Sequence, residues 1–190
     1  MRIMYSALTL VFLSLLISVC GQQPNPTALP SPRKLVTVGS MFSSYPKLEA
    51  QAKEIGDAYV RKDFQEFAGL TFPKLLQMAG GKEKFMKRVA EESKQQEAQG
   101  LQTLSSIPTD VTQFLKVSGS LYAVMPTTLR MNMRGDLFES YGCLIGISRD
   151  KGEHWTFLDS GSGGLRDLLP DVADRLSLCP RKRPVKLTSH

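Results

Sequence analysis

The sequence predicts an α+β domain, with N-terminal helices packed on an antiparallel sheet, carried behind an export leader and a tether. Three observations predict it. Apolar residues recur at helical spacing between residues 45 and 99, and beyond Gly100 they alternate with polar ones along several extended runs. Ahead of both stands an uncharged apolar stretch followed by a proline-rich one. Once that leader and tether are set aside, the 190 residues leave room for a single core.

The leader is residues 1–20. Arg2 supplies a positive charge, Ile3 to Val19 carries none, and the stretch ends at Cys20-Gly21 before a polar run. That order of charged, apolar and cleavage regions reads as a secretory signal peptide. Residues 21–44 hold Pro24, Pro26, Pro30 and Pro32 among Gln, Asn, Thr and Ser, a composition that cannot build a core and stays extended as a linker.

The folded domain is expected over 45–160. Ser44 stands as a cap before Tyr45-Pro46, and Leu48, Ala52, Ile55 and Tyr59 then mark one face of a helix running to about Arg61. Asp63 followed by Glu66 has the spacing of a capping box and starts a second helix. Pro73 seats a short third piece to Met78, which Gly80-Gly81 ends. A fourth helix spans Lys82 to about Gln99, closed by Gly100 in a left-handed conformation. The strands follow: Leu101 to Ile107, Val111 to Val117, Leu121 to Met133, Leu137 to Ser148 and His154 to Leu158. Pro126 in the long third strand requires an edge or a bulge. Residues 161–190 form a C-terminal cap and basic tail: a flexible Gly161–Gly164 hinge, a short helix broken by Pro170, and a frayed, solvated end.

The net charge of +6 is concentrated in that end, where Arg181, Lys182, Arg183 and Lys186 account for four charges. The rest is nearly balanced, so no basic face for nucleic acid is expected. Cys143 and Cys179 either pair across the fold or stay as two thiols. No Cys or His spacing suits a metal, and the Gly161–Gly164 run lacks the lysine of a phosphate loop, so no metal or cofactor is expected.

Several residues carry resemblances. Ile17-Ser18-Val19-Cys20 resembles the lipobox of bacterial lipoproteins, which implies acylation of Cys20 and a lipid anchor in the cell envelope. An ordinary cut near Ser18, Cys20 or Gly21 is the alternative, since Val19 stands where that family prefers Gly, Ala or Ser. Ser148, Asp150, Gly152 and Trp155 match the Asp-box of sialidase propellers, a structural hairpin motif, here in one copy. The helical first half, the long strands and the Trp155-Thr156-Phe157 ending resemble the NTF2-like superfamily, which includes SnoaL-type cyclases and ketosteroid isomerases. Leu70-Thr71-Phe72-Pro73-Lys74 and Gly80-Gly81-Lys82-Glu83 are similar to a group of exported bacterial proteins within it. That resemblance implies a cone-shaped fold with an apolar pocket and does not imply an activity.

Candidate chemistry is therefore sparse. Glu139 and Tyr141 lie two apart on one strand face, and with Asp136 they are the acid, base and hydroxyl groups available for polarising a carbonyl. A solvated or dimer-facing pair is the competing role. Met125, Met131 and Met133 suit either an adaptable pocket or the core. The expected function is a non-catalytic module that binds a small apolar ligand or a protein, with a homodimer formed through the sheet. The alternatives are a SnoaL- or isomerase-like enzyme acting on a small apolar substrate, and a structural cell-envelope protein.

Overall fold

A computed structural model describes residues 45–180 and 182–187. The expectations for the leader, the tether, Cys20, Ser44 and Arg181 lie outside those residues.

Four helices come first. Helix α1 (Pro46–Arg61) turns Leu48, Ala52, Ile55 and Ala58 inward, at the spacing the sequence predicts. Tyr45 occupies its N-cap position without a side-chain capping bond, and Pro46 in the first turn helps set the start. Helix α2 (Phe64–Leu70) is capped by Asp63, whose Oδ1 accepts a hydrogen bond from the Glu66 amide at 3.0 Å. Only this half of the capping box forms, because the Glu66 carboxylate pairs with Arg61 at 2.7 Å. Helices α3 (Pro73–Met78) and α4 (Lys82–Ala98) follow, with Phe85 and Val89 of α4 buried. Gly100 takes the left-handed conformation expected of it, with φ of 80°.

Six strands form one curled antiparallel sheet. Strands β3 (Ser120–Met133) and β4 (Asp136–Ser148) are its spine, in unbroken register from Leu121↔Ser148 to Met133↔Asp136. The free side of β3 is shared by β1 (Leu101–Pro108) and β2 (Gln113–Val117). The free side of β4 is shared by β5 (Thr156–Asp159) and β6 (Lys182–Lys186).

Pro126 sits in the interior of β3, at neither an edge nor a bulge of that strand. Its carbonyl accepts from Thr109 N at 2.8 Å, which places its absent N–H on the β1–β2 side. There β1 has just ended and β2 has not begun, so no ladder bond is lost. The bulge lies instead in β1, where the register shifts between Thr103 and Ser105.

Alternate residues divide the sheet into two covered faces. Leu121, Ala123 and Met125 of β3 and Phe157 of β5 pack against Leu48, Ala52 and Ile55 of α1. Helix α1 comes so close to the sheet that a Cβ on Gly56 would stand 2.7 Å from the Ser106 carbonyl oxygen. On the opposite face, Ile145, Ile147 and Leu158 cluster with Leu168, Leu169 and Val172 from the C-terminal segment, which starts as a short helix, α5 (Leu165–Leu168). The α2–α3 junction closes the exposed side of β5: Thr71 bridges Phe157, and Phe72 N donates to Phe157 O at 2.9 Å. The Leu70–Lys74 motif and the Trp155–Phe157 motif therefore meet in space.

The C-terminal end departs from the frayed tail expected of it. Residues 182–186 add to β4 as strand β6, with Pro184 tolerated because that strand lies at an edge. Lys186 pairs with Asp136 at 2.7 Å, and the Lys182 ammonium lies 5.6 Å from the Tyr141 ring centre. A Cys143–Cys179 disulfide, with Cα atoms 5.6 Å apart, ties the segment leading into β6 to the sheet. Charge pairing and covalent closure together supply the order that composition alone does not suggest.

Candidate functional site

Between the helices and the concave face of the sheet lies a cavity of about 90 Å³, partly open to solvent. Helix α1 contributes Ala52, Ile55, Gly56 and Tyr59, while α4 contributes Phe85, Val89 and Glu92. The sheet side is made by Ser106 and Pro108 of β1, Thr127 and Leu129 of β3, Gly142 and Leu144 of β4, and Phe157 and Asp159 of β5. The concavity has a sequence cause. Gly142 places no side chain on the inner face of β4, where a Cβ would find its nearest neighbour, Asp159 Oδ2, at 3.7 Å.

The lining is mainly apolar, with polar groups from both walls. On the helix side, burial followed by the charge of Glu92 pushes the Tyr59 phenol up to about 12, and its hydroxyl donates to Gln96 Oε1 at 3.4 Å. Burial also raises the Glu92 carboxyl, against the opposing charge of Arg88. On the sheet side, Asp159 Oδ1 accepts from Gly161 N at 2.6 Å. Ser162 follows, 8 % exposed, and its hydroxyl has no hydrogen-bond partner. Gly161 and Ser162 are buried, so the segment read as a hinge is a tight turn that completes the cavity wall.

The three residues singled out for catalysis lie elsewhere. Glu139 and Tyr141 stand on the face of β4 opposite Gly142 and Leu144, and neither they nor Asp136 line the cavity. Glu139 Oε1 accepts from Arg130 Nε at 2.9 Å and its Oε2 from the Tyr141 hydroxyl at 3.0 Å. Those bonds, Arg130 first, hold the Glu139 carboxyl below its ordinary range, while the bond to Glu139 raises the Tyr141 phenol. A carboxylate stabilised in its charged form is a weak proton acceptor, and the Tyr141 ring of this cluster lies 5.6 Å from the Lys182 ammonium of β6. Met125 is buried in the core beneath α1, and none of the three methionines lines the cavity.

The Asp-box residues form the local structure their spacing predicts. Ser148 Oγ accepts from Gly152 N at 2.9 Å and donates to Asp150 Oδ1 at 2.8 Å. Gly152 adopts φ of 96°, and its carbonyl receives the Trp155 Nε1 proton at 3.0 Å. His154 is exposed and holds Asp150 through its amide at 3.0 Å and its ring at 2.6 Å. Those two bonds, amide first, and then the Ser148 hydroxyl keep the Asp150 carboxyl well below the usual aspartate range. A depressed native value means stability present above the ordinary aspartate value and lost as the pH falls through the native one. Urea unfolding as a function of pH should therefore find Asp150→Asn less stable than wild type at neutrality. The gap should close as the pH falls below about 4. A gap of constant size would place the loss in packing and not in charge.

Of the groups on the cavity wall, Tyr59 was legible in the sequence only as an inward helix position. Glu92, Asp159 and Ser162 were not legible as site residues. Asp159 heads a Gly- and Ser-rich run, which reads as punctuation until the turn is seen folded beneath the sheet.

Fold and cavity together define an α+β protein in which four helices close the concave face of a curled antiparallel sheet. No protein-family model, curated protein or solved structure matches the chain. Among the described residues there is no group of side chains suited to a metal ion, and no helix is long and apolar enough to cross a membrane.

Proposed function

We propose that this chain is an exported, NTF2-like binding module whose cavity takes a small apolar ligand. The observation that carries the reading is the cavity, with apolar walls on both the helix and sheet sides and about 90 Å³ of space. On a scale where about 10–15 Å³ admits one water and about 150 Å³ of apolar space takes a benzene ring, this suits a small hydrocarbon group. The test is to fill the space from the sheet side. Gly142→Leu, whose Cβ meets only an ordinary contact, should abolish binding of ethylbenzene in a calorimetric titration while the thermal midpoint stays near that of wild type. Undiminished binding would place the ligand elsewhere.

An isomerase-like enzyme is the second reading. It rests on Asp159 and Glu92, which bring carboxylates into an apolar cavity, and not on Glu139, Tyr141 or Asp136.

The location proposed is the bacterial cell envelope, with Cys20 acylated and residues 21–44 as the leash. The Cys143–Cys179 disulfide is in keeping with an oxidising compartment outside the cytoplasm. Expressed in a bacterial host, Cys20→Ala should move the protein from the membrane to the soluble fraction. Retention of the variant at the membrane would overturn the lipid anchor.

A further inference from the structure

The cavity has a smaller neighbour. Where the last turn of α1 meets the end of α4 and the start of β1 lies a second recess of about 30 Å³, lined in part by Ser93, Gln96 and Thr103. That is room for about two waters, against walls far more polar than those of the cavity. Tyr59 lines both spaces. The surrounding elements run on from one to the other: α1 passes from Gly56 through Tyr59 to Val60, and α4 passes from Glu92 to Ser93.

The Tyr59 side chain spans this changeover. Its ring centre lies 5.4 Å from that of Phe67, a residue of the cavity wall. Its hydroxyl donates to Gln96 Oε1 at 3.4 Å, on the wall of the recess. The ring therefore closes one end of the apolar space, and the polar tip belongs to the space behind it. Tyrosine suits such a position, because its body is apolar and its hydroxyl seeks a polar neighbour when buried.

We propose that Tyr59 is the specificity-determining residue of the cavity, the end wall that limits the ligand to a hydrocarbon body no longer than ethylbenzene. This assignment rests on the ligand-binding reading above and gives it a size class. A longer chain has two courses. Pressed toward the recess, it must displace a packed aromatic ring; led out through the open side of the cavity, its extra carbons stay in water. Neither course adds affinity.

The experiment titrates the full chain into dilute ethylbenzene, propylbenzene and butylbenzene, followed by calorimetry. Each methylene that leaves water for an apolar wall adds about fourfold in affinity. Wild type should bind butylbenzene no more tightly than ethylbenzene. Tyr59→Ala joins the two spaces, so it should bind butylbenzene about tenfold more tightly than ethylbenzene, the extra carbons lying beside Phe67. Tyr59→Leu shortens the side chain while keeping an apolar one. It should show the same trend to a smaller degree, and it carries the test if the alanine variant does not fold. Tyr59→Phe keeps the ring and should keep the wild-type limit. A general loss of stability would weaken all three ligands alike and would not reorder them. Wild-type affinity that climbs through to butylbenzene, or a limit that survives in both shortened variants, would overturn the end wall and leave the ligand-binding reading standing. Failure of wild type to bind ethylbenzene would remove both.

Discussion

Replacing Trp155 by alanine should cost about 3–5 kcal/mol of unfolding free energy, the range for truncating a large buried aromatic. Trp155 is 1 % exposed and lies beneath the Asp-box hairpin, where several contacts converge. Tyr45 meets it edge-on at a ring separation of 6.0 Å, and Phe114 at 6.3 Å. Its indole N–H is bound to Gly152 O at 3.0 Å, and its backbone amide donates to Gln51 Oε1 of α1 at 2.7 Å. The truncation therefore opens a cavity, frees the Gly152 carbonyl and removes the ring contacts with Tyr45 and Phe114, while the backbone bond to Gln51 remains. Small domains have only about 5–15 kcal/mol in total, so the variant should be marginal at 37 °C. Urea unfolding followed by far-ultraviolet circular dichroism measures it. A loss below about 1 kcal/mol would show that the packing centre lies elsewhere.

Removing the disulfide should have the next largest effect. Cys143 and Cys179 are 36 residues apart, and closing a loop of that size restricts the unfolded chain by about 3–4 kcal/mol in the chain-entropy account. The double variant Cys143→Ala with Cys179→Ala is the appropriate test, because Cys143 is fully buried and serine there would bury an extra hydroxyl. It should lose about 2–4 kcal/mol. Reductant should lower wild type to the same level and leave the double variant unchanged. Hydrogen exchange should quicken first in β6, which has only a short, irregular ladder on β4 and exposed ion pairs to hold it. Unchanged protection over residues 182–187 would show that β6 is held without the covalent link.

Local chemistry was legible wherever a residue's neighbours in sequence are its partners in space. Asp63 caps α2, Gly100 closes α4, and Gly152 with Asp150 builds the turn before Trp155, each through groups a few residues away. Residues whose partners lie far along the chain were not legible in this way. Pro126 reads as an edge or bulge residue because a proline removes a ladder bond, and only the gap between β1 and β2 shows that no bond was required there. Lys182 and Lys186 read as solvated charge until Tyr141 and Asp136 are brought opposite them.

The cavity obeys the same division. Periodicity places Ile55 and Tyr59 on one helix face and Glu139 with Tyr141 on one strand face. Period alone does not say which face of a mixed strand turns inward, because β4 carries apolar residues on both. The answer comes from what covers each face. Leu144 packs with the α1 cluster and lines the cavity beside Gly142, whereas Ile145 and Ile147 belong to the cluster that Leu168, Leu169 and Val172 complete, and Glu139 and Tyr141 lie outside the cavity.

The amino-acid order by itself determined the α+β class, the succession of helices before strands and the chemistry of the Asp-box turn, because these follow from local backbone preference and hydrophobic period. Tertiary structure alone decided the inward face of β4, the joining of Cys143 to Cys179 and the gathering of Asp159 and Ser162 at the cavity wall. Each of those depends on burial against segments distant in sequence, and burial is a property of the assembled fold.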